Sequence, residues 1–334
     1  MKLKLTLLAA LLLAAINVNA HHGFAAHFDP ENLIRIEGTI KEFGFVNPHS
    51  YIRIDTFDES GNAIVYTCDL QAKNQLLRRG ADETLFTVGT PIVVDGFQAR
   101  RDPLGCEFGV GYFEDGSSYT MRSLGEASTQ FATDIEATPE AATIFGVWIR
   151  AGMRGDASGS APSTGFDSIT EAAKAALAEY DPILDNPKVH CQPGSPVLSW
   201  RAPGLATSIT QVNENIHIYH EAMDVTRVIH MNQTMVPEGI EPTDMGYSLG
   251  RFEGETLVID TSNFSAGVMD YSNLNSAEMT LREELSLLDN GRLHISWVVT
   301  DPLYYSDQIT SSQTLQPIDQ EILQYECIPG WIVH

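Results

Sequence analysis

Apolar and polar positions alternate along two stretches near the start of the chain, Ile34 to Val46 and Tyr51 to Phe57. The alternation is clearest in Tyr51-Ile52-Arg53-Ile54-Asp55, and Asn47-Pro48-His49 turns between the two strands it predicts. Asp58-Glu59-Ser60-Gly61 makes the next turn, and Ala63 to Cys68 reads as a third strand. The period then changes to a helical one over Leu70 to Arg79, with Asp69 as N-cap and Gly80 as the stop. Pro91 to Phe97 is a fourth strand, and the glycine-punctuated stretch from Glu107 to Met121 supplies a fifth. A three-stranded meander, a helix and two further strands is the order of the OB-fold.

The pattern lapses from Gly125 to Ala142, as a linker would. Phe145 to Ile149 is a short strand, and Gly152 to Gly165, rich in Gly, Ser and Ala, reads as a loop. Ser168-Ile169-Thr170-Glu171 has the form of a capping box and opens an alanine-rich helix through Tyr180, which Pro182 ends. Beyond Asp185-Asn186-Pro187 the pattern is β to the end. Asn213-Glu214-Asn215, Glu253-Gly254 and Asp289-Asn290-Gly291 each separate alternating apolar runs, as hairpin turns do. A last pair, Gln308 to Leu315 with Glu321 to Cys327, closes the series. Successive hairpins predict an up-and-down meander, most simply a barrel that can hold a ligand.

The expected fold is therefore mostly β: an N-terminal OB-like small barrel, then an up-and-down β-meander or barrel domain with one alanine-rich helix. The expected boundaries are 1–20 for a leader, 21–125 for the OB-like domain, 126–143 for the linker and 144–334 for the second domain.

Composition adds the address. Lys2 and Lys4 precede a short apolar run from Leu7 to Ile16, and Val18-Asn19-Ala20 places small residues for cleavage, which is the pattern of a secretory signal peptide. The run is too short for a permanent span. The 334 residues carry 20 Lys and Arg against 44 Asp and Glu, a formal charge of −24, which excludes nucleic-acid binding through a basic surface. No segment predicts a membrane span, and the expected location is the periplasm or the medium.

Export changes the reading of the cysteines. Cys68, Cys106, Cys191 and Cys327 form an even set in a compartment where disulfides persist. Four cysteines allow three pairings; two in each half favour Cys68 with Cys106 and Cys191 with Cys327. No Cys-x-x-C spacing supports a zinc ribbon or a thioredoxin-type centre.

The mature start, His21-His22-Gly23-Phe24 followed by Phe28-Asp29, Glu37-Gly38-Thr39 and Asn47-Pro48-His49, resembles an uncharacterised family of exported bacterial domains. The second half is similar to a companion β-rich module of such proteins. The matching residues there are Tyr180-Asp181-Pro182, Asp185-Asn186-Pro187, Cys191 to Pro196, Arg227 to Met231, the run from Met245 to Thr261, and Tyr325-Glu326-Cys327. Relatives carry His where Tyr247 stands and Trp where Phe252 stands. The resemblance implies export and the two-domain plan, and no established activity.

Two constellations carry candidate chemistry. Cleavage after Ala20 would place a free α-amine and an imidazole together on His21; with a second imidazole from His22, His27 or His49 they make a brace suited to copper(II). Set against this, His49 after Pro48 serves a plain turn, and histidines near a chain start are often only solvated. In the second half, His217, Tyr219, His220, Glu221, Asp224 and His230 crowd one hairpin, where His and Tyr inside a barrel would act as acid and base on a bound ligand. The plainer reading is the polar outer face of a half-buried sheet. No Gly-x-Ser-x-Gly elbow, His-Glu-x-x-His helix or phosphate-cradling loop is present. The function these features favour is binding of a small ligand in the second barrel, with a metal at the mature start. The competing readings are a barrel enzyme using His217, Tyr219, His220 and His230, and a non-catalytic envelope scaffold.

Overall fold

Alternation of the predicted kind produces two β-structures. The computed structural model describes residues 24–121, 140–150, 161–181, 184–270 and 273–329. After a short helix α1 (Phe24–His27), the first sheet contains β1 (Phe28–Gly44), β2 (Tyr51–Phe57), β3 (Ala63–Asp69), β4 (Pro91–Ala99), β5 (Gly105–Phe113) and β6 (Ser118–Thr120), in the order β3-β2-β1-β4-β5-β6. β3 also pairs with β5 in parallel, which closes β1-β2-β3-β5-β4 into the ring of an OB barrel. Such closure needs one strand long enough to serve two neighbours at different ends. β1 does so, pairing with β4 from Phe28 to Thr39 and with β2 from Thr39 to Gly44. It crosses β2 closely at Gly38, where a Cβ would stand 2.3 Å from the Asp55 carbonyl oxygen. Ile36, Ile40, Ile52, Ile54, Val94 and Phe108 fill the interior.

The helix between β3 and β4 is α2 (Lys73–Arg78), shorter than its period predicts. Asp69 is not its cap, because β3 runs through Asp69 and the Leu70 N–H still bonds the Ser50 carbonyl at 2.7 Å. Ala72 takes the N-cap position, and the Gln75 side chain accepts from the Ala72 N–H at 2.9 Å.

The second structure is a closed barrel. Its strands are β7 (Gly146–Arg150), β9 (Ala206–Val212), β10 (Asn215–His220), β11 (Val225–His230), β12 (Tyr247–Glu253), β13 (Thr256–Ser262), β16 (Thr280–Leu287), β17 (Leu293–Thr300) and β18 (Ile309–Pro317). β8 (Ala161–Thr164) lies beside β18, while β14 (Gly267–Asp270) and β15 (Asn273–Asn275) form a separate ribbon. The ring runs β17-β16-β13-β12-β11-β10-β9-β7-β18 and returns to β17. Nine strands cannot close with every neighbour antiparallel, and the ladder resolves this with one parallel pair, β11 with β12. The expected β-meander barrel is present, and at this one pair the long connection after β11 returns the chain to start β12 in the same direction.

A second correction concerns the last predicted hairpin. Residues 321–327 form no strand against β18, which instead has β17 along one edge and β8 and β7 along the other. The segment crosses to the first barrel, where polar partners on α2 and the β1–β2 turn outbid a sheet edge already taken. The alanine-rich helix α3 (Glu171–Glu179) is present, capped by Thr170, whose Oγ1 accepts from the Ala173 N–H at 3.2 Å. Ser168 does not cap it; its hydroxyl donates to the Gly165 carbonyl at 2.6 Å. A last short helix, α4 (Pro196–Trp200), buries all five of its residues. The disulfides are Cys68–Cys106, joining the parallel strands of the OB ring, and Cys191–Cys327.

Candidate functional site

The interior of the second barrel is mainly apolar but holds a buried polar centre. Alternation turns Arg227 inward beside Ile229 on β11, Ser248 inward on β12, Thr261 on β13, and Glu283 between Leu281 and Leu285 on β16. The Arg227 guanidinium donates to Ser248 Oγ at 2.8 Å, to Thr261 Oγ1 at 2.6 Å and to Glu283 Oε1 at 2.9 Å, with a further contact to Glu283 Oε2. α4 seats Trp200 over this pair, and its indole Nε1 donates to Glu283 Oε1 at 2.7 Å. The Gln313 amide holds α4 in place by donating to the Trp200 carbonyl at 2.8 Å. A fully buried ion pair of this kind is weak evidence for stability, since apolar residues of equal volume serve as well. It marks a place where the barrel keeps polarity that packing alone does not require.

His220 lies beside this centre. Its Nδ1 shares a 2.9 Å hydrogen bond with Thr207 Oγ1, and its ring meets Trp200 edge-on at 4.7 Å. Its Nε2 is buried without a hydrogen-bond partner among the described residues. Burial, and then the nearby Arg227 charge, push its pKa down to about 3, so the imidazole is neutral at ordinary pH.

The other residues singled out in this hairpin point elsewhere. Strand alternation places His217 and Tyr219 on the opposite face of β10 from Ile216, Ile218 and His220. Tyr219 donates to Asp224 Oδ1 at 2.6 Å, and burial followed by that contact raises its pKa. Asp224 also accepts from the Tyr325 and Glu326 N–H groups at 2.7 and 2.9 Å. Glu221 is completely buried, taking the Ala206 and Leu323 N–H groups at 2.9 and 2.7 Å and a contact from Arg78 of the first barrel. Half of the predicted cluster is therefore the seam between the barrels. His230 stacks on Tyr247 on the outer wall, with ring centroids 4.4 Å apart. Of the four proposed acid–base residues, His220 faces the interior, while His217, Tyr219 and His230 lie outside.

The same seam receives the first hairpin. Asn47 Nδ2 donates to Asn74 Oδ1 at 3.0 Å and to the Tyr325 carbonyl, and Asn47 bridges in parallel to Cys327. His49, two residues along the turn, is exposed. The protein around its ring, then the charges of Lys188 and His27, draw its pKa down to about 4. His27 and His49 thus lie within electrostatic reach of each other, while His21 and His22 lie outside the described residues. Among the described residues no three His, Cys, Asp or Glu side chains converge as a metal cage. Nor, among them, is any helix long and apolar enough to cross a membrane. An open groove of about 480 Å³ runs along the outer wall over Leu249, Asp260, Arg282 and Val298, with Asp260 held by Arg251 and Arg282.

Sequence reasoning missed Arg227, Glu283 and Trp200. The signal was present: Arg227 shares a strand face with Ile229, and Glu283 shares one with Leu281 and Leu285.

These features define a two-barrel, disulfide-bonded β protein, an OB ring sealed to a closed nine-stranded barrel with a polar centre. The two disulfides fit an oxidising compartment. Residues 9–106 match the model of DUF6152, a family of unknown function, in agreement with the resemblance carried by the His-His-x-Phe start and the Asn-Pro-His hairpin. No curated protein matches the chain. Among solved structures, a mutant of the fluorescent protein UnaG is similar at 13% identity and a TM-score of 0.27, over 53% of this chain and 96% of that one.

Proposed function

We propose that this is an exported binding protein whose second barrel takes a small, mainly apolar molecule carrying one hydrogen-bonding group. The observation that supports this is His220, a buried neutral imidazole beside the polar centre, with one nitrogen satisfied and the other without a partner among the described residues. An unmet buried polar group costs about 1–3 kcal/mol, which a ligand hydroxyl or carbonyl would offset. Binding is favoured over acid–base catalysis because strand alternation keeps His217, Tyr219 and His230 away from His220.

A second reading concerns the end of the OB barrel. His27 and His49 influence each other electrostatically, and a copper site there would be completed by His21 and His22, which precede Phe24 by no more than three residues, about 10 Å of extended chain.

Native mass spectrometry of the protein exported from a bacterial host tests both. The expected mature mass begins at His21 and carries an organic adduct that His220→Leu loses. A bare wild-type chain, or an adduct that His220→Leu retains, overturns the barrel reading, and a bare chain favours the scaffold. A chelator-sensitive copper count that falls by one on joint His27→Ala and His49→Ala substitution supports the second reading; an unchanged count in that variant sinks it.

A further inference from the structure

The outer wall of the second barrel carries two imidazoles that the binding reading does not use. In the β10–β11 ladder Ile216 faces Ile229 and His217 faces Val228, so His217 and His230 stand diagonally across it on the outward face. Diagonal neighbours in an antiparallel pair have about 7–8 Å between them, a span that two imidazoles leaning together over one ion can bridge. Both residues are half-buried, and neither imidazole has a hydrogen-bond partner among the described residues. Their ring nitrogens are therefore not committed to the protein.

One member of the pair is also held in place. His230 lies flat on the Tyr247 ring, with an interplanar angle of 5° and centroids 4.4 Å apart. Tyr247 is held in turn by donating to Gln233 Oε1 at 2.6 Å.

We propose that His217 and His230 form a two-imidazole site for a borderline transition-metal dication. Imidazole suits Cu²⁺, Ni²⁺ and Zn²⁺, and the divalent series places Cu²⁺ as the tightest binder. Water fills the remaining positions on the ion, and the formal charge of −24 raises the local concentration of cations around the wall.

The test is titration of the whole protein with Cu²⁺, read by calorimetry and by the nitrogen hyperfine pattern in electron paramagnetic resonance. One copper equivalent with two-nitrogen coordination is expected to weaken at least tenfold in His217→Ala and, separately, in His230→Ala. It is expected to survive joint His27→Ala and His49→Ala substitution, which removes only the site at the OB barrel. Tyr247→His adds a third ring against His230 and is expected to tighten binding at least tenfold. Both histidines are on the outer wall, so unchanged circular dichroism of the variants is expected. Copper binding that is the same in both single alanine variants and in Tyr247→His overturns the proposal, whatever becomes of the OB-barrel site.

Discussion

His220 shows what a single side chain can cost. Its folded pKa of about 3 lies well below the value of about 6.5 for an unfolded histidine, so the unfolded chain binds the proton first as pH falls. The contribution to stability is complete above pH 6.5 and is lost progressively as pH falls towards 3. By pH 4.5 the loss from this residue is about 2–3 kcal/mol. Urea unfolding at pH 7 and pH 4.5 measures it: His220→Leu is expected to show the smaller drop, and equal drops in the two proteins would refute the assignment. The inward position of His220 was legible from alternation with Ile216 and Ile218. That its Nδ1 meets Thr207, and that Trp200 covers it, was not, because those residues come from another strand and from a helix too short to declare itself.

At the scale of the element, β1 is the piece on which the OB ring depends. Its alternation announced a strand, and Glu37-Gly38-Thr39 stood out in the sequence, but the reason for the glycine lies in the partner strand. A methyl group at 38 would meet the Asp55 carbonyl at 2.3 Å and Ile54 Cγ2 at 2.7 Å. Because the first contact is backbone, relief requires β1 and β2 to separate along the ladder from Thr39 to Gly44. Gly38→Ala is expected to destabilise the protein by about 2–3 kcal/mol, within the range for overpacking a filled interior. Thermal unfolding measures this, and a melting temperature within one degree of wild type would show that β1 has more room than its register implies. The helices teach the complementary lesson. α2 begins later than its period predicts because β3 and its extension keep Asp69 and Leu70 in sheet-like pairing. A local capping preference yields where a longer-range hydrogen bond is already in place.

At the scale of the molecule, the two barrels are joined by a polar seam. Arg78 of α2 pairs with Glu221 of the second barrel, and both side chains are almost wholly buried. Arg78 also reaches the Gln320 side chain at 2.7 Å and the Glu321 carbonyl at 3.1 Å, while Asn74 Nδ2 donates to the Gln324 carbonyl at 3.2 Å. Ala72, Leu205, Ala222 and Tyr325 supply an apolar patch beside these bonds. Cys191–Cys327 ties the last segment to the second barrel at the point where it bridges to Asn47. Removing one partner of a buried ion pair leaves the other charge stranded, at a cost of about 3–5 kcal/mol. Arg78→Met is therefore expected to lower stability by that amount and to split a single calorimetric transition into two, one for each barrel. One cooperative transition at the wild-type temperature would show that the seam does not couple them.

The sequence by itself determined the β character of both halves, the strand order of the first barrel, most of the hairpins of the second and a cysteine distribution that anticipated both disulfides. These are local properties: side chains alternate every two residues, and turn residues act on their own backbone. The tertiary structure alone decided the parallel pair that closes nine strands, the diversion of residues 321–327 from the sheet to the seam, and the division of one histidine-rich hairpin between interior, seam and outer wall. Each of these depends on which distant groups are left needing partners once the strands have paired, and periodicity along a single chain carries no record of that competition.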